Sequence, residues 1–174
     1  AKNLYCSRVC CMYAIKEAEL LKEHVHGIEA SIFYMDVRAF GKGFEEFYRR
    51  AEEEFGIKFV KGRVAEIVED PTTKNLLVRA EDIGSEEPVE KEADMVVLSA
   101  GLVPPEGGVS KIIPLIKGED GFFAAVHPKV DPVTTAVKGV YVAGVAEGPK
   151  DIPDAVTQAS AAAMKASIVL GVKP

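Results

Sequence analysis

The sequence YCSRVCCMYA, residues 5–14, organises the interpretation of the whole chain. It contains all three cysteines, and apolar residues recur with a helical period directly after it. An apolar run at 32–35 then predicts a buried strand that ends at Asp36. Loop, helix, strand and acidic residue form the second half of a βαβ unit. In a dinucleotide-binding fold this loop would be a glycine-rich pyrophosphate loop, so the pattern predicts a site that has exchanged a nucleotide for something that binds sulfur.

The helix behind the cysteines is predicted to be amphipathic. Its spacing divides the side chains into an apolar face that packs inward and a charged face that meets solvent. The apolar face contains Ala14, Ile15, Ala18, Leu21 and Val25, and the charged face contains Lys16, Glu17, Glu19, Lys22 and Glu23.

Three clustered thiols are typical of a metal or iron–sulfur site. The spacing C-x3-C-C of Cys6, Cys10 and Cys11 suits the corner of a cluster better than a closed zinc site, which usually uses spaced pairs. A helix N-terminus behind the loop would stabilise a cluster of net negative charge. The alternative is three free, half-buried cysteines without a ligand. A fourth ligand is missing, because the histidines lie outside the loop.

Composition excludes several classes of function. The 174 residues provide enough apolar side chains for one domain, or for two incomplete ones. Acidic and basic residues are interspersed with a net charge of −6, which argues against a nucleic-acid partner. No apolar run has the length of a membrane span. Clustered thiols without a spaced disulfide framework favour a reducing cytoplasm.

The middle of the chain predicts a helix at 44–55, a short strand at 57–60 and two β runs at 64–69 and 76–81. A turn-forming cluster at 70–75 joins the two runs as a hairpin loop. We expect the charged segment 86–92 to be a solvated rim and the apolar segment 95–101 to be a buried strand. This order matches the second half of a nicotinamide-type domain.

The composition shifts after Gly101. Residues 103–105 and 107–108 are predicted to form a crossover between domains, and 122–126 and 140–143 are predicted to be strands. An alanine-rich helix is predicted from about 153 to 170, with Asp151 as its N-cap. Its N-terminus either faces a ligand with free N–H groups or belongs to an ordinary packing helix.

Specific segments of the sequence carry a resemblance to a known family. GVYVAG at 139–144, with the helix segment IPDAVTQA at 152–159, resembles the closing FAD-binding element of the thioredoxin-reductase-like flavoproteins. The chain as a whole resembles the C-terminal part of the heterodisulfide reductase A-subunit, a flavin and iron–sulfur protein of methanogens and related anaerobes. Its cysteine loop and the GPKDIPD segment at 148–154 are the specific parts.

This resemblance implies two cofactors, FAD and a [4Fe-4S] cluster beside it. Cys6, Cys10 and Cys11 would be three cluster ligands, with the fourth cysteine upstream of this chain. Lys16, one turn into the first helix, is the basic residue best placed to reach the flavin. No residue is assigned a catalytic role. The residues implied to lie against the flavin and its ribityl chain are Gly144, Val145, Pro153, Asp154 and Ala155.

The chain contains no G-x-G-x-x-G sequence and no strand before the cysteine loop, so we interpret it as a fragment of an α/β protein. Residues 1–103 would be a truncated nicotinamide-type dinucleotide-binding (Rossmann-like) domain with a β-meander, and 104–174 the C-terminal portion of an FAD-binding domain. The fragment alone is expected to be inactive. Its unpaired sheet edge is expected to favour self-association into a homo-oligomer.

The resemblance implies a component of an oxidoreductase that splits electron pairs between ferredoxin and the CoB–CoM heterodisulfide. The implied partners are sister heterodisulfide reductase subunits and an electron-donating hydrogenase or formate dehydrogenase. Two alternatives stay open. One is a related flavoprotein subunit of sulfur or sulfate respiration. The other is a non-catalytic scaffold that binds zinc or carries free thiols.

Overall fold

The computed structural model describes residues 3–104 and 106–171, which divide into two units. We call residues 10–100 the sheet unit. The described residues up to Val9 and from Gly101 onward form the terminal unit. The predicted crossover includes Pro105, which lies outside the described residues.

The sheet unit contains a four-stranded sheet in the order β1-β2-β3-β4. Strands β1 and β2 are parallel and are joined through a helix, which is a βαβ arrangement. Strands β2, β3 and β4 follow as an antiparallel meander. The elements are α1 (Cys10–His24), β1 (Ser31–Tyr34), α2 (Phe44–Glu53), β2 (Lys58–Glu69), β3 (Leu76–Asp82) and β4 (Glu87–Ala93).

The two short strands predicted at 57–60 and 64–69 are one continuous strand, β2. A register shift between Val64 and Glu66 keeps the strand paired with β3. Gly62 allows β3 to approach closely, because a Cβ at this position would collide with the backbone carbonyl of Glu81. The hairpin loop is confirmed, and the side chain of Asp70 accepts backbone hydrogen bonds that close it.

The glutamates of the charged segment 86–92 are exposed, as predicted, but most of the segment belongs to strand β4 at the edge of the sheet. Arg79 on β3 bridges Glu66 on β2 and Glu90 on β4, with N–O distances of 2.9 and 2.8 Å. Opposite charges on three neighbouring strands stabilise their pairing. Glu90 of the exposed segment therefore also contributes to the pairing of β4 with β3.

The predicted strand at 95–101 is not formed in the part of the chain that the structure describes. Its apolar side chains are exposed, with Met95 at 75% and Leu98 at 79%. A strand requires a hydrogen-bonded neighbour, and the described residues provide none here. The segment instead runs beside the start of α1, where the Ser99 hydroxyl donates to the carbonyl of Cys10 at 3.2 Å.

The core of the sheet unit lies between α1, α2 and the start of β2. Ile15, Ala51 and Ile57 are almost completely buried. Glu19 was predicted on the charged face of α1 but is buried, because Arg50 on α2 binds its carboxylate at 3.2 Å. Leu21, predicted on the buried face, is exposed instead. The pairing of the buried Glu19 with the half-exposed Arg50 therefore places a charged residue on the face of α1 that meets α2.

Tyr48 on α2 provides a test of this packing. Burial, together with a hydrogen bond to Tyr34, raises the pKa of Tyr48 to about 12. The neutral phenol is thus favoured in the folded protein. Its contribution to the free energy of unfolding is present below the ordinary tyrosine pKa of about 10 and is lost as the pH rises through about 12.

We therefore expect one tyrosine of the folded chain to ionise late in an absorbance titration of tyrosinate. Tyr48→Phe should remove this late step and flatten the fall in stability above pH 10. Tyr141→Phe, a substitution in the terminal unit, is the control and should leave the late step in place. A titration in which Tyr48→Phe changes nothing would contradict the packing described above.

The terminal unit contains one long helix, α3 (Ile152–Val169), and short 3-10 turns at Gly108–Lys111 and Gly144–Ala146. The prediction of strands at 122–126 and 140–143 is wrong, because these segments contribute only single bridges between residue pairs. Gly121 and Gly139 precede them with φ values of 86° and 80°. The two glycines lie in the turns that separate the members of the bridges Lys117–Phe123 and Thr134–Tyr141. No helix among the described residues is long and apolar enough to cross a membrane.

Candidate cofactor site

The cysteine loop is anchored on both sides of Cys6. The Tyr5 hydroxyl donates to the carbonyl of Leu102 at 3.0 Å, and the Ser7 hydroxyl accepts from the backbone of Leu102 at 2.8 Å. Gly101 is required beside Ser7, because a Cβ there would collide with the Ser7 hydroxyl. Cys6 itself is exposed and accepts a hydrogen bond from the backbone N–H of Arg8 at 3.3 Å. The loop therefore presents a thiol on a fixed backbone.

Cys10 and Cys11 form the first turn of α1, so the helix begins within the cysteine cluster and not behind it as predicted. Both are half-buried. The thiol of Cys11 donates to the carbonyl of Asp36 at 3.7 Å, just beyond the end of β1. The strand end and the helix start therefore meet at these thiols. The N–H groups of the first helical turn favour negative charge at this position.

The chemistry of these donors fits an iron–sulfur cluster, because all three thiols are unbridged. Residues 3–104 and 106–171 contain no group of three Cys, His, Asp or Glu side chains already placed to hold a metal ion. Cys6 belongs to the terminal unit, whereas Cys10 and Cys11 belong to the sheet unit, so neither unit by itself assembles the three thiols. The ligand assignment stays a prediction.

The turn at Gly144 is clamped by buried polar side chains that the sequence did not indicate. Gln158 on α3 accepts from the Gly144 N–H at 2.7 Å and donates to the carbonyl of Pro132 at 2.9 Å. Lys150 donates to the Gly144 carbonyl at 3.0 Å and to Glu147 at 2.7 Å. Lys150 and Gln158 are each 9% exposed. Local sequence provides no signal for this clamp, since lysine and glutamine are usually solvated.

The start of α3 has the predicted cap. The Asp151 side chain accepts from the Asp154 N–H at 2.8 Å, and Pro153 occupies the first turn. Ala155 faces the turn at Gly144, where its Cβ would be 3.8 Å from a Cβ on the glycine. Val145, which follows Gly144, is partly exposed. Small residues therefore let the turn and the helix start lie close together.

The surface beside this helix start is partly apolar. Ile152 and Val156, four residues apart on one face of α3, are 80% and 60% exposed. An open groove of about 230 Å³ lies alongside and is lined by Lys150, Asp154 and Gln158 among others.

Further along α3, an ion pair between Lys165 and Asp131 at 3.0 Å holds the helix in place. The hydrogen bond from Thr134 and then the Lys165 ammonium lower the pKa of Asp131 below its usual range. The carboxylate of Asp131 is therefore held in its charged form, which keeps the pair with α3 in place.

Lys16 lies exposed on the second turn of α1. It belongs to the sheet unit, whereas Gly144 and α3 belong to the terminal unit. Its predicted contact with the flavin therefore stays a prediction.

Comparison with known proteins identifies the family. The sequence pattern of the pyridine nucleotide-disulphide oxidoreductases matches residues 7–163. The chain belongs to this family. Membership confirms the predicted α/β fold of a truncated dinucleotide-binding type and places the chain among oxidoreductases.

Individual relatives are considerably longer than the chain. It is 58% identical over 167 residues to the first of two iron-sulfur A-subunits of CoB–CoM heterodisulfide reductase in Methanopyrus kandleri, covering 94% of this chain and 25% of that protein. It is 58% identical over 166 residues to the corresponding A-subunit of Methanocaldococcus jannaschii, with 94% and 25% coverage. It is 55% identical over 168 residues to the A-subunit of the H(2)/formate:CoB-CoM heterodisulfide,ferredoxin reductase of Methanococcus maripaludis, with 95% and 26% coverage.

The predicted resemblance to the heterodisulfide reductase A-subunit is thereby confirmed. The chain spans about a quarter of the length of the curated relatives it matches.

Proposed function

We propose that the chain forms part of the flavin and iron–sulfur subunit of a CoB–CoM heterodisulfide reductase. The observation that carries this proposal is the high identity over nearly the whole chain to relatives that are named as the A-subunit of such reductases. Their names favour this function over sulfur or sulfate respiration. The same identity favours it over a non-catalytic scaffold that binds zinc or carries free thiols.

Cys6, Cys10 and Cys11 supply three ligands of a [4Fe-4S] cluster, and a cysteine outside this chain supplies the fourth. The support is the chemistry of the thiols and the setting of each one. The Arg8 N–H stabilises negative charge on the Cys6 sulfur, and the first turn of α1 does the same at Cys10 and Cys11.

The start of α3 and the turn before it hold FAD. Gly144, Val145, Pro153, Asp154 and Ala155 line the cofactor, and the buried side chains of Lys150 and Gln158 keep the turn in place. The helix N-terminus favours negative charge on the reduced ring system. Lys16 approaches the flavin from the cluster side. When bound, FAD would accept electrons in pairs and release them one at a time to an iron–sulfur cluster.

The subunit works in a larger assembly. Sister heterodisulfide reductase subunits, ferredoxin, and a hydrogenase or formate dehydrogenase are the proposed partners, supported by relatives named for H(2), formate and ferredoxin. Electron pairs are divided between ferredoxin and the heterodisulfide. The chain alone is inactive, because one helix N-terminus contributes only about 1 kcal/mol, whereas micromolar binding of FAD needs about 8 kcal/mol.

The flavin assignment is tested by Ala155→Leu in the full-length protein. The larger side chain at the contact between α3 and the Gly144 turn should push the turn away and weaken FAD binding at least tenfold, a loss of about 1.4 kcal/mol. The measurement is the dissociation constant of FAD from the flavin-depleted protein.

Ala163→Leu is the matched control, because Ala163 is exposed two turns further along the same helix. It should bind FAD as the unaltered protein does. If both variants bind equally well, α3 is a packing helix and the flavin lies elsewhere.

A further inference from the structure

Arg8 connects the cysteine loop to the start of α3 within the terminal unit. Its backbone N–H donates to the Cys6 sulfur at 3.3 Å. Its guanidinium donates to the carboxylate of Asp154 at 2.8 Å, with the two side chains 38% and 49% exposed. One residue thus touches both a proposed cluster ligand and the first turn of the proposed flavin helix.

The backbone of Arg8 adopts a conformation that arginine rarely takes. Its φ is 63°, in the left-handed region. The only other described non-glycine residues with positive φ are Lys74 and Glu86, in the turns between β2 and β3 and between β3 and β4. The left-handed φ sets the direction in which the Arg8 side chain and the following backbone leave the N–H group that contacts Cys6. Contacts outside the loop must hold a side-chain-bearing residue in this conformation, and the pair with Asp154 is such a contact.

We propose that Arg8 is a positioning residue that raises the reduction potential of a cluster bound through Cys6. The pair with Asp154 holds the loop so that the Arg8 N–H stays on the Cys6 sulfur. Reduction adds an electron to the cluster and makes its sulfur ligands more negative, so a donor directed at Cys6 stabilises the reduced state. This inference rests on the proposed function, because it requires the cluster to be present.

A positioning role and a direct charge effect of Asp154 predict opposite shifts of the cluster potential when its charge is removed. Removing the negative charge of Asp154 by through-space electrostatics alone would raise the cluster potential. If Asp154 acts by holding Arg8, its removal loosens the loop, weakens the N–H···S contact and lowers the potential. Asp154 is half exposed, so water and salt screen its direct charge effect. The loss of positioning should therefore dominate.

The experiment is a redox titration of the cluster, followed by electron paramagnetic resonance, in the full-length protein expressed with its sister subunits. Arg8→Gly removes the guanidinium and tolerates the left-handed backbone. Arg8→Gly and Asp154→Asn should each lower the equilibrium constant for reduction roughly tenfold, which is about 59 mV for one electron. The double variant should fall no further than Arg8→Gly alone. In both single variants the coupling of an exchangeable amide proton in pulsed spectra should weaken.

Arg49→Gln is the matched control, because Arg49 forms an exposed ion pair with Glu45 in the sheet unit. It should leave the potential unchanged. Should Arg8→Gly lose its iron, the sign of the shift in Asp154→Asn decides. A rise in Asp154→Asn, or unmoved potentials in a fully loaded protein, overturns the positioning role alone. Unaltered full-length protein with no iron bound through these cysteines refutes the proposed function and this inference with it.

Discussion

Replacing Cys10 or Cys11 by serine in the full-length protein is expected to cause the loss of most of the iron of one four-iron cluster. Each thiolate is a ligand that an alcohol replaces poorly, because soft sulfur donors are what the cluster prefers. Both positions lie in the first turn of α1, which is a regular part of the backbone. No flexible chain end can therefore move into the place of either lost ligand. Iron and sulfide analysis, together with the signal of the reduced cluster, measures the loss.

Met12→Leu is the control for this experiment. Met12 follows the cysteines directly and packs against the core of the sheet unit, so leucine conserves its bulk. This variant should keep its iron. A double Cys10→Ser, Cys11→Ser protein with unchanged iron content would contradict the ligand assignment, and the thiols would then be free cysteines.

Alanine at Gly62 is expected to destabilise the sheet unit by about 3 kcal/mol. The added methyl would collide with the backbone carbonyl of Glu81 on the neighbouring strand, and a backbone atom cannot move aside as a side chain does. Strands β2 and β3 would have to separate at the register shift that follows. Urea denaturation measures the free energy, and amide hydrogen exchange in β2 and β3 locates the loss.

Gly148→Ala is the matched control, because a Cβ there meets no atom within 4 Å and its backbone φ is not positive. Its effect on stability should stay within about 0.5 kcal/mol. If the two alanine variants are equally stable, the close approach of β3 to Gly62 is absent in solution.

Local patterns were sufficient for the parts of the chain whose stabilising contacts lie nearby in sequence. The helical periods after the cysteines and at 44–55 predict α1 and α2, and the Asp70 turn predicts the β2–β3 hairpin. Asp151 is recognisable as a cap because its partner is the N–H of Asp154, three residues away. In each of these cases the interacting groups lie within one or two helical turns or within a six-residue loop.

Apolar character alone failed to predict strands. The segments 95–101, 122–126 and 140–143 are all rich in apolar residues, yet no strand forms in any of them among the described residues. The charged segment 87–93 does form one. A strand exists only when a neighbour satisfies its backbone groups, and that neighbour lies elsewhere in sequence. For β4 it is β3, and cross-strand ion pairs through Arg79 strengthen the contact.

Local sequence was sufficient to predict which residues would carry the chemistry: three clustered thiols, a glycine before an alanine-rich helix, and the cap of that helix. How these residues are held depends on tertiary contacts that local sequence does not predict. Arg8 meets Asp154 across 146 positions of sequence, and Gln158 reaches back 14 residues to Gly144. Such polar contacts follow from where the folded backbone brings distant side chains together, and the burial of Gln158 makes its contact costly to lose.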